Sequence, residues 1–126
     1  MKIKELLTAK NVIAKHINDP IPAQLAYKFF KLAKKIDETE EFCRTKLLSV
    51  LDECAEKNDD GNFVQDNNGF KLKSDKVEVW KSKKEEIDEI EVDAVELFSI
   101  DELTSLKLSV QDIVNIQNFI KEDKNG

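Results

Sequence analysis

Residues 22–56 read PAQLAYKFFKLAKKIDETEEFCRTKLLSVLDECAE. With Leu25 at zero and about 100° per residue, eight apolar residues fall within about 40° of one line along a helix. They are Leu25, Phe29, Leu32, Ile36, Cys43, Leu47, Val50 and Cys54. No Gly or Pro interrupts the run after Pro22. Pro22 itself suits a first helical turn, where its missing N–H would have no intrahelical partner. The pattern predicts one helix from Pro22 to Glu56, about 50 Å long at 1.5 Å per residue. Thr39 is the one small polar residue near the stripe. Phe30 and Leu48 fall on a second face and Phe42 on a third, so something else must cover them.

Upstream, Leu6, Leu7, Ala9, Val12, Ile13 and Ile17 recur at helical spacing, which predicts a first helix from Lys4 to Ile17. Asn18-Asp19-Pro20 ends it, because a residue preceding Pro avoids the helical region. This first helix is less than half as long as the second and can line only part of the stripe. Downstream, Asp59-Asp60-Gly61-Asn62 and Asp66-Asn67-Asn68-Gly69 are turn signals. They flank Phe63-Val64-Gln65 and Phe70-Lys71-Leu72-Lys73, which read as a short hairpin. Ser74 is placed to cap a third helix, Asp75 to Glu86, with Val77 and Trp80 as its apolar contacts. Ile90, Val92 and Ala94 alternate with acids and suggest a strand, continued by Val95 and Leu97 after a one-residue slip. Ser99 with Glu102 resembles a capping box for one short turn. Ser109 is expected to cap a last helix, Val110 to Lys121, with Ile113, Ile116 or Gln117, and Ile120 on one face.

The chain has 126 residues, the size of one ordinary domain, and its 40% hydrophobic content is enough for one core. Three glycines and two prolines argue for long regular elements over a many-turned barrel. No apolar run approaches the roughly 18 residues a membrane span needs. No signal-peptide core follows Met1-Lys2-Ile3-Lys4-Glu5, so a cytoplasmic location is expected. The net charge of −6 hides an asymmetry: residues 1–36 carry eight lysines against Glu5 and Asp19, and the rest carries 12 basic against 24 acidic residues. An acidic whole disfavours broad nucleic-acid affinity, which needs basic surface.

The sites that could carry chemistry test negative. An EF-hand loop aligned on Gly61 puts Glu56 first and Asn67 last, and one aligned on Gly69 puts Val64 first. Neither fits the ligand pattern, which leaves two hydrated turns. His16 is the sole histidine and has only Asp19 nearby in sequence, too few partners for zinc. There is no G-x-S-x-G, no phosphate loop and no G-x-G-x-x-G. Cys43 and Cys54 would lie about 16 Å apart on one helix. A disulfide needs Cα atoms within about 7 Å, so they read as reduced thiols or as partners in a bridge between chains. No catalytic residue, cofactor or metal ligand is expected, and the chain reads as a non-enzyme.

Two charged constellations remain. Lys28, Lys31, Lys34 and Lys35 form a basic strip interleaved with Tyr27, Phe29 and Phe30. It is either a solvated face or an electrostatic contact for nucleic acid or an acidic partner. The acidic run Glu85-Glu86, Asp88-Glu89, Glu91, Asp93, Glu96 is either an exposed face or a nucleic-acid mimic; Ile87, Ile90 and Val92 interrupt it and favour the first.

The short helix, the Pro20-Ile21-Pro22 joint, the stretch AYKFFKLAKKIDETEEFCRTKLL (residues 26–48) and the NDDGN turn (residues 58–62) resemble small phage and prophage proteins of low-GC Gram-positive bacteria. The resemblance covers most of the chain. It implies either an interaction protein that antagonises a host factor or a bacterial defence system, or a virion or assembly component.

The expected fold is a single domain, 1–126, of mainly helical α+β class. Residues 1–57 would form an antiparallel helical hairpin with one very long helix, and residues 58–126 a small hairpin, helix and strand portion. The expected function is a non-enzymatic protein-interaction module. Its candidate interface comprises Phe30, Phe42, Leu48, Lys28, Lys31 and Lys35. Its expected partners are a protein and further copies of itself, joined as in a coiled coil, with neither nucleic acid nor membrane.

Overall fold

A single helix, α3 (Ala23–Cys54), runs for 32 residues in the computed structural model, which describes residues 1–67, 69–93 and 97–121. The carbonyl of Pro22 accepts its first hydrogen bond, from the Ala26 N–H at 2.9 Å. Its polar interior is satisfied in place. The hydroxyls of Thr39, Thr45 and Ser49 donate to the carbonyls of Lys35, Glu41 and Thr45 at 2.7, 3.0 and 3.4 Å. Hydroxyls that would otherwise compete with the helical ladder are thereby absorbed into it. Arg44 pairs with Glu41 one turn away. The helix stops two residues short of Glu56, because the Glu56 N–H turns to the Lys71 carbonyl at 2.8 Å.

The other elements are short: α1 (Ile3–Leu7), α2 (Lys10–His16), β1 (Gln65–Asp66), β2 (Gly69–Phe70), α4 (Val77–Asp88), α5 (Ile100–Leu103) and α6 (Val110–Ile116), the last running into a 3₁₀ turn, Gln117–Phe119. The class is mainly helical α+β, with one long helix and one small antiparallel sheet. Contacts divide the chain into two compact units. The first is Met1–Glu40 with Glu91–Gly126, and the second is Glu41–Ile90. The division falls inside α3.

The core of the first unit joins both ends of the chain. Leu6, Ala9, Val12 and Ile13 come from the N-terminal helices, Leu25, Phe29, Leu32 and Ile36 from α3, and Phe98, Leu103, Leu106, Ile116 and Phe119 from the C-terminal segment. The 4-3-4 spacing on α3 is what presents its four residues to one side. Phe29 and Phe98 meet edge to face at 5.3 Å. A parallel bridge between Phe98 and Ile120 holds the C-terminal segment, through Phe98 N–H to the Phe119 carbonyl (2.7 Å) and Lys121 N–H to the Phe98 carbonyl (2.8 Å).

Several boundaries differ from the sequence expectation, each for a local reason. The first helix is two pieces, because the Thr8 hydroxyl lies 2.7 Å from the carbonyls of both Glu5 and Asn115 and shares its one proton between them. Ile17, expected in the core, is exposed. The last helix ends at Ile116, and Phe119 is buried while Ile113 is exposed. The expected caps at Ser99 and Ser109 are present, each hydroxyl accepting from the N–H three residues on (3.1 and 3.0 Å).

The second unit has a thinner core of Leu51, Cys54, Ala55 and Ile87. Its sheet pairs Gln65 with Phe70 and Asp66 with Gly69. Residues 55–57 add bridges to Phe63 and Leu72, so the expected hairpin is shorter than predicted but gains a third partner. Asn58 caps the turn that follows it with its own side chain, its Oδ1 accepting from Asp60 and Asn62 N–H at 3.0 Å. Gly61 and Gly69 sit at φ 81° and 108°, where a side chain would be strained. Ser74 does not cap α4. The Lys76 N–H bonds to the Lys73 carbonyl (2.9 Å), a turn occupies 74–76, and the helix begins at Val77. In place of the strand expected at Ile90 and Val92, α4 continues to Asp88 and the Ile90 N–H bonds back to Ile87. An isolated bridge, Lys2 to Glu91, follows. Ala94 and Val95, also read as strand, lie outside the described residues.

Candidate interaction surfaces

The basic strip on α3 is not uniform. Lys28 is half-buried, its ammonium 2.9 and 2.8 Å from the two carboxylate oxygens of Glu102, 3.2 Å from the Leu97 carbonyl and 5.7 Å from the centre of the Phe98 ring. The hydrogen bond from Lys28 leads the effects that hold the Glu102 carboxyl below its ordinary range, with Ser99 adding to it. Lys28 is therefore engaged within the fold. Lys31 is half-buried, with its ammonium 4.9 Å over the Tyr27 ring. Lys34 is exposed and Lys35 half-buried.

Tyr27 and Phe30 stack at 6.2 Å with 20° between ring planes, and are 60% and 62% exposed. Beside them the C-terminal end of α2, the connection to α3 and the first turns of α3 enclose a groove of 220 Å³. Ile13, His16, Ile17, Asp19, Ile21, Ala26, Phe29, Phe30 and Ala33 line it. Neither Tyr27 nor Ile17 was among the sequence candidates. Periodicity assigns Ile17 to the core, and Tyr27 enters the sequence reading only as a member of the lysine strip.

His16 closes the inner wall of this groove. Its Nδ1 lies 2.6 Å from Asp19 Oδ2, and a carboxylate only accepts, so Nδ1 carries the proton in the neutral ring. Nε2 is buried without a hydrogen-bond partner, 3.7 Å from Asp112 Oδ2. Asp112 accepts from the Ser109 N–H at 3.0 Å and from Lys15 at 3.0 Å. These contacts, the Ser109 N–H foremost, lower its carboxyl to about 2. Nε2 is sealed from solvent, and these contacts form a packed polar joint between α2 and α6. Sequence spacing could not reveal Asp112 as its member, because it lies 97 residues from Lys15.

On the second unit the surface is different. Phe42 and Leu48 are 42% and 47% exposed, and Cys43, Leu47 and Val50 are half-buried. From residue 40 to residue 50 no side chain of α3 is buried, although Thr39 before them and Leu51 after them are. Lys46 lies 5.7 Å from the Phe42 ring centre. In the acidic run, Glu85 and Glu86 are exposed and Glu91 pairs with the N-terminal ammonium at 2.8 Å, while Glu96 lies outside the described residues.

Among the described residues no three His, Cys, Asp or Glu side chains converge as metal ligands, and no helix is long and apolar enough to cross a membrane. No family model, curated protein or solved structure matches the chain.

Proposed function

We propose that this protein is a non-enzymatic protein-interaction module that self-associates through the middle of α3. One observation carries the reading: three turns of α3, residues 40–50, keep an apolar spacing at Cys43, Leu47 and Val50 yet leave all three only half-buried. Phe42 and Leu48 flank that stripe. A continuous exposed apolar surface usually marks an interface, and two-fold pairing is the commonest way to cover one. An antiparallel or parallel pair of α3 helices would seat the stripe as a coiled-coil seam does. Within this proposal the N-terminal helices and α3 form the helical hairpin that presents the seam.

The test is light scattering at micromolar concentration on the intact chain and on Phe42→Glu. A dimer that Phe42→Glu dissociates supports the reading, and a monomeric intact chain overturns it. The phage resemblance extends the proposal to an antagonist of a host factor. Abundant copies in purified virions, measured by mass spectrometry, would instead favour an assembly role.

A further inference from the structure

Among the described residues, His16 Nε2 is the buried side-chain nitrogen or oxygen left without a hydrogen bond. The residue is 5% exposed and ends α2, in the last turn, where positive charge is favoured. The Asp19 N–H donates to the His16 carbonyl at 3.1 Å, and this turn holds the Asp19 carboxylate 2.6 Å from Nδ1. The opposite edge of the ring faces α6, with Asp112 Oδ2 3.7 Å from Nε2. One imidazole therefore stands between two carboxylates. In the neutral ring the proton is on Nδ1, so Nε2 and Asp112 Oδ2 are two acceptors facing each other, and neither can bond to the other. A buried acceptor left unpaired costs free energy.

The charges around the ring come from three directions. The connection after α2 supplies Asp19, α6 supplies Asp112, and α2 itself supplies Lys15, whose ammonium is 3.0 Å from the same Asp112 oxygen. The residues that α3 turns toward the groove beside His16, Ala26, Phe29, Phe30 and Ala33, carry no titratable group. The Asp112 carboxyl is held at about 2, by the Ser109 N–H first. It is therefore charged throughout the interval of about pH 5 to 8 in which histidine ordinarily exchanges its proton. With a neutral ring, two carboxylates meet one ammonium. With an imidazolium, two carboxylates meet two cations, and each ring N–H has a carboxylate of its own.

We propose that His16 and Asp112 form a proton-operated latch between α2 and α6: Nε2 takes a proton from water and donates it in a hydrogen bond to the Asp112 carboxylate, and release of that proton opens the bond. A charge-assisted N–H···O bond spans about 2.7–2.9 Å, so the 3.7 Å gap has to close by about 1 Å or less. A carboxylate offers about four acceptor positions. Ser109 and Lys15 occupy two of them, which leaves room for the imidazolium. The two helices come from opposite ends of the chain and both contribute to the core of the first unit. The latch thus acts on the packing of the C-terminal segment against the N-terminal helices, and the middle of α3 plays no part in it. The unfolded chain has no such partner for the imidazolium. The added stability is therefore present on the acid side of the histidine range and is lost as pH rises through it.

The chain has one histidine, so the ring nitrogens of the intact, nitrogen-15-labelled protein give unambiguous signals. Followed from about pH 8 to about pH 5, Nε2 should pass from bare to proton-bearing while the protein stays folded. The side-chain carboxyl carbon of Asp112 should move with the same midpoint. Urea unfolding supplies a second reading. The folding equilibrium constant should be about tenfold larger at about pH 5.5 than at about pH 8, the size expected of one buried charge-assisted hydrogen bond. Asp112→Asn and His16→Gln should each reduce that ratio to less than about threefold, because the pair is then gone. Four results overturn the proposal: a ring that carries its proton on Nε2 at about pH 8, a ring that stays neutral in the folded protein down to about pH 5, a native folding constant equal at the two pH values or smaller at the acid one, and an Asp112→Asn chain that keeps the native ratio. The first three are measured on the native chain and hold even where a variant fails to fold.

Discussion

Lys28 grips both carboxylate oxygens of Glu102 across 74 residues of sequence. The pair ties the first turns of α3 to α5. With the two side chains 22% and 32% exposed, solvent screens the pair and its contribution stays near about 1 kcal/mol. A double-mutant cycle of Lys28→Met and Glu102→Gln, read by urea unfolding, should return a coupling of about that size. A coupling of zero would mean that the pair forms without stabilising the fold. The Glu102 carboxyl sits below its ordinary range, Lys28 being the leading cause, so the contribution is present above the unfolded glutamate range. It is lost as pH falls through the folded value.

Acid should act more sharply through Asp112. Its carboxyl is held at about 2, first by the Ser109 N–H and then by Lys15, against about 3.9 in an unfolded chain. A lowered carboxyl stabilises the folded state fully above about pH 4 and loses that contribution from about pH 4 down to about pH 2. Stability measured across this window should fall more gently in Asp112→Asn than in the native chain. Identical acid limbs would show that Asp112 keeps the same protonation behaviour folded and unfolded.

The two aromatic and aliphatic residues near the C-terminus should separate cleanly. Phe119 is fully buried, and removing a buried phenylalanine ring costs about 3–5 kcal/mol. Ile113 is exposed, so Ile113→Ala should cost under about 1 kcal/mol. Chemical denaturation of the two variants checks the order, and a reversal would move the packed face back to where the simple helical count put it.

Thiol chemistry offers a direct view of the proposed seam. Cys43 is half-buried beside Phe42, and Cys54 is buried. A thiol reagent should modify Cys43 quickly and Cys54 only as the chain opens, since access limits thiol reaction. Raising the protein concentration should slow the Cys43 reaction as copies pair. A Cys43 rate independent of concentration would place the contact elsewhere.

What could be read from the sequence was local. The periodicity from Leu25 to Ile36, the absence of Gly and Pro, the Asn58–Asn62 turn and the Ser99 and Ser109 caps each depend on residues within a few positions, and each is found. What could not be read depends on distant partners. The break at Thr8 involves the carbonyl of Asn115, the engagement of Lys28 requires Glu102, and the buried joint at His16 requires Asp112. The helical wheel also treats all stripe positions alike. It placed Leu47 and Val50 beside Leu25 and Phe29, although burial at those positions differs, and it left out Leu51, which is buried. Of the candidate surface residues, Phe30, Phe42 and Leu48 are exposed, because a bulky residue off the main stripe can be seen without knowing the fold.

The stretch from residue 40 to residue 50, where no side chain is fully buried, also bears on how the molecule opens. In most long helices the centre is the last part to exchange its amide protons, and the ends fray first. In α3 the order should be inverted. Amides near Phe29 to Ile36 and near Leu51 to Cys54 lie under buried side chains, whereas those around Thr45 lie among side chains that are exposed or half-buried. Isolated helical turns are marginal in water, and protection follows local packing. The middle of the longest element is therefore expected to open before its flanks. Hydrogen exchange along α3 should trace a trough there, and pairing of two chains would fill it.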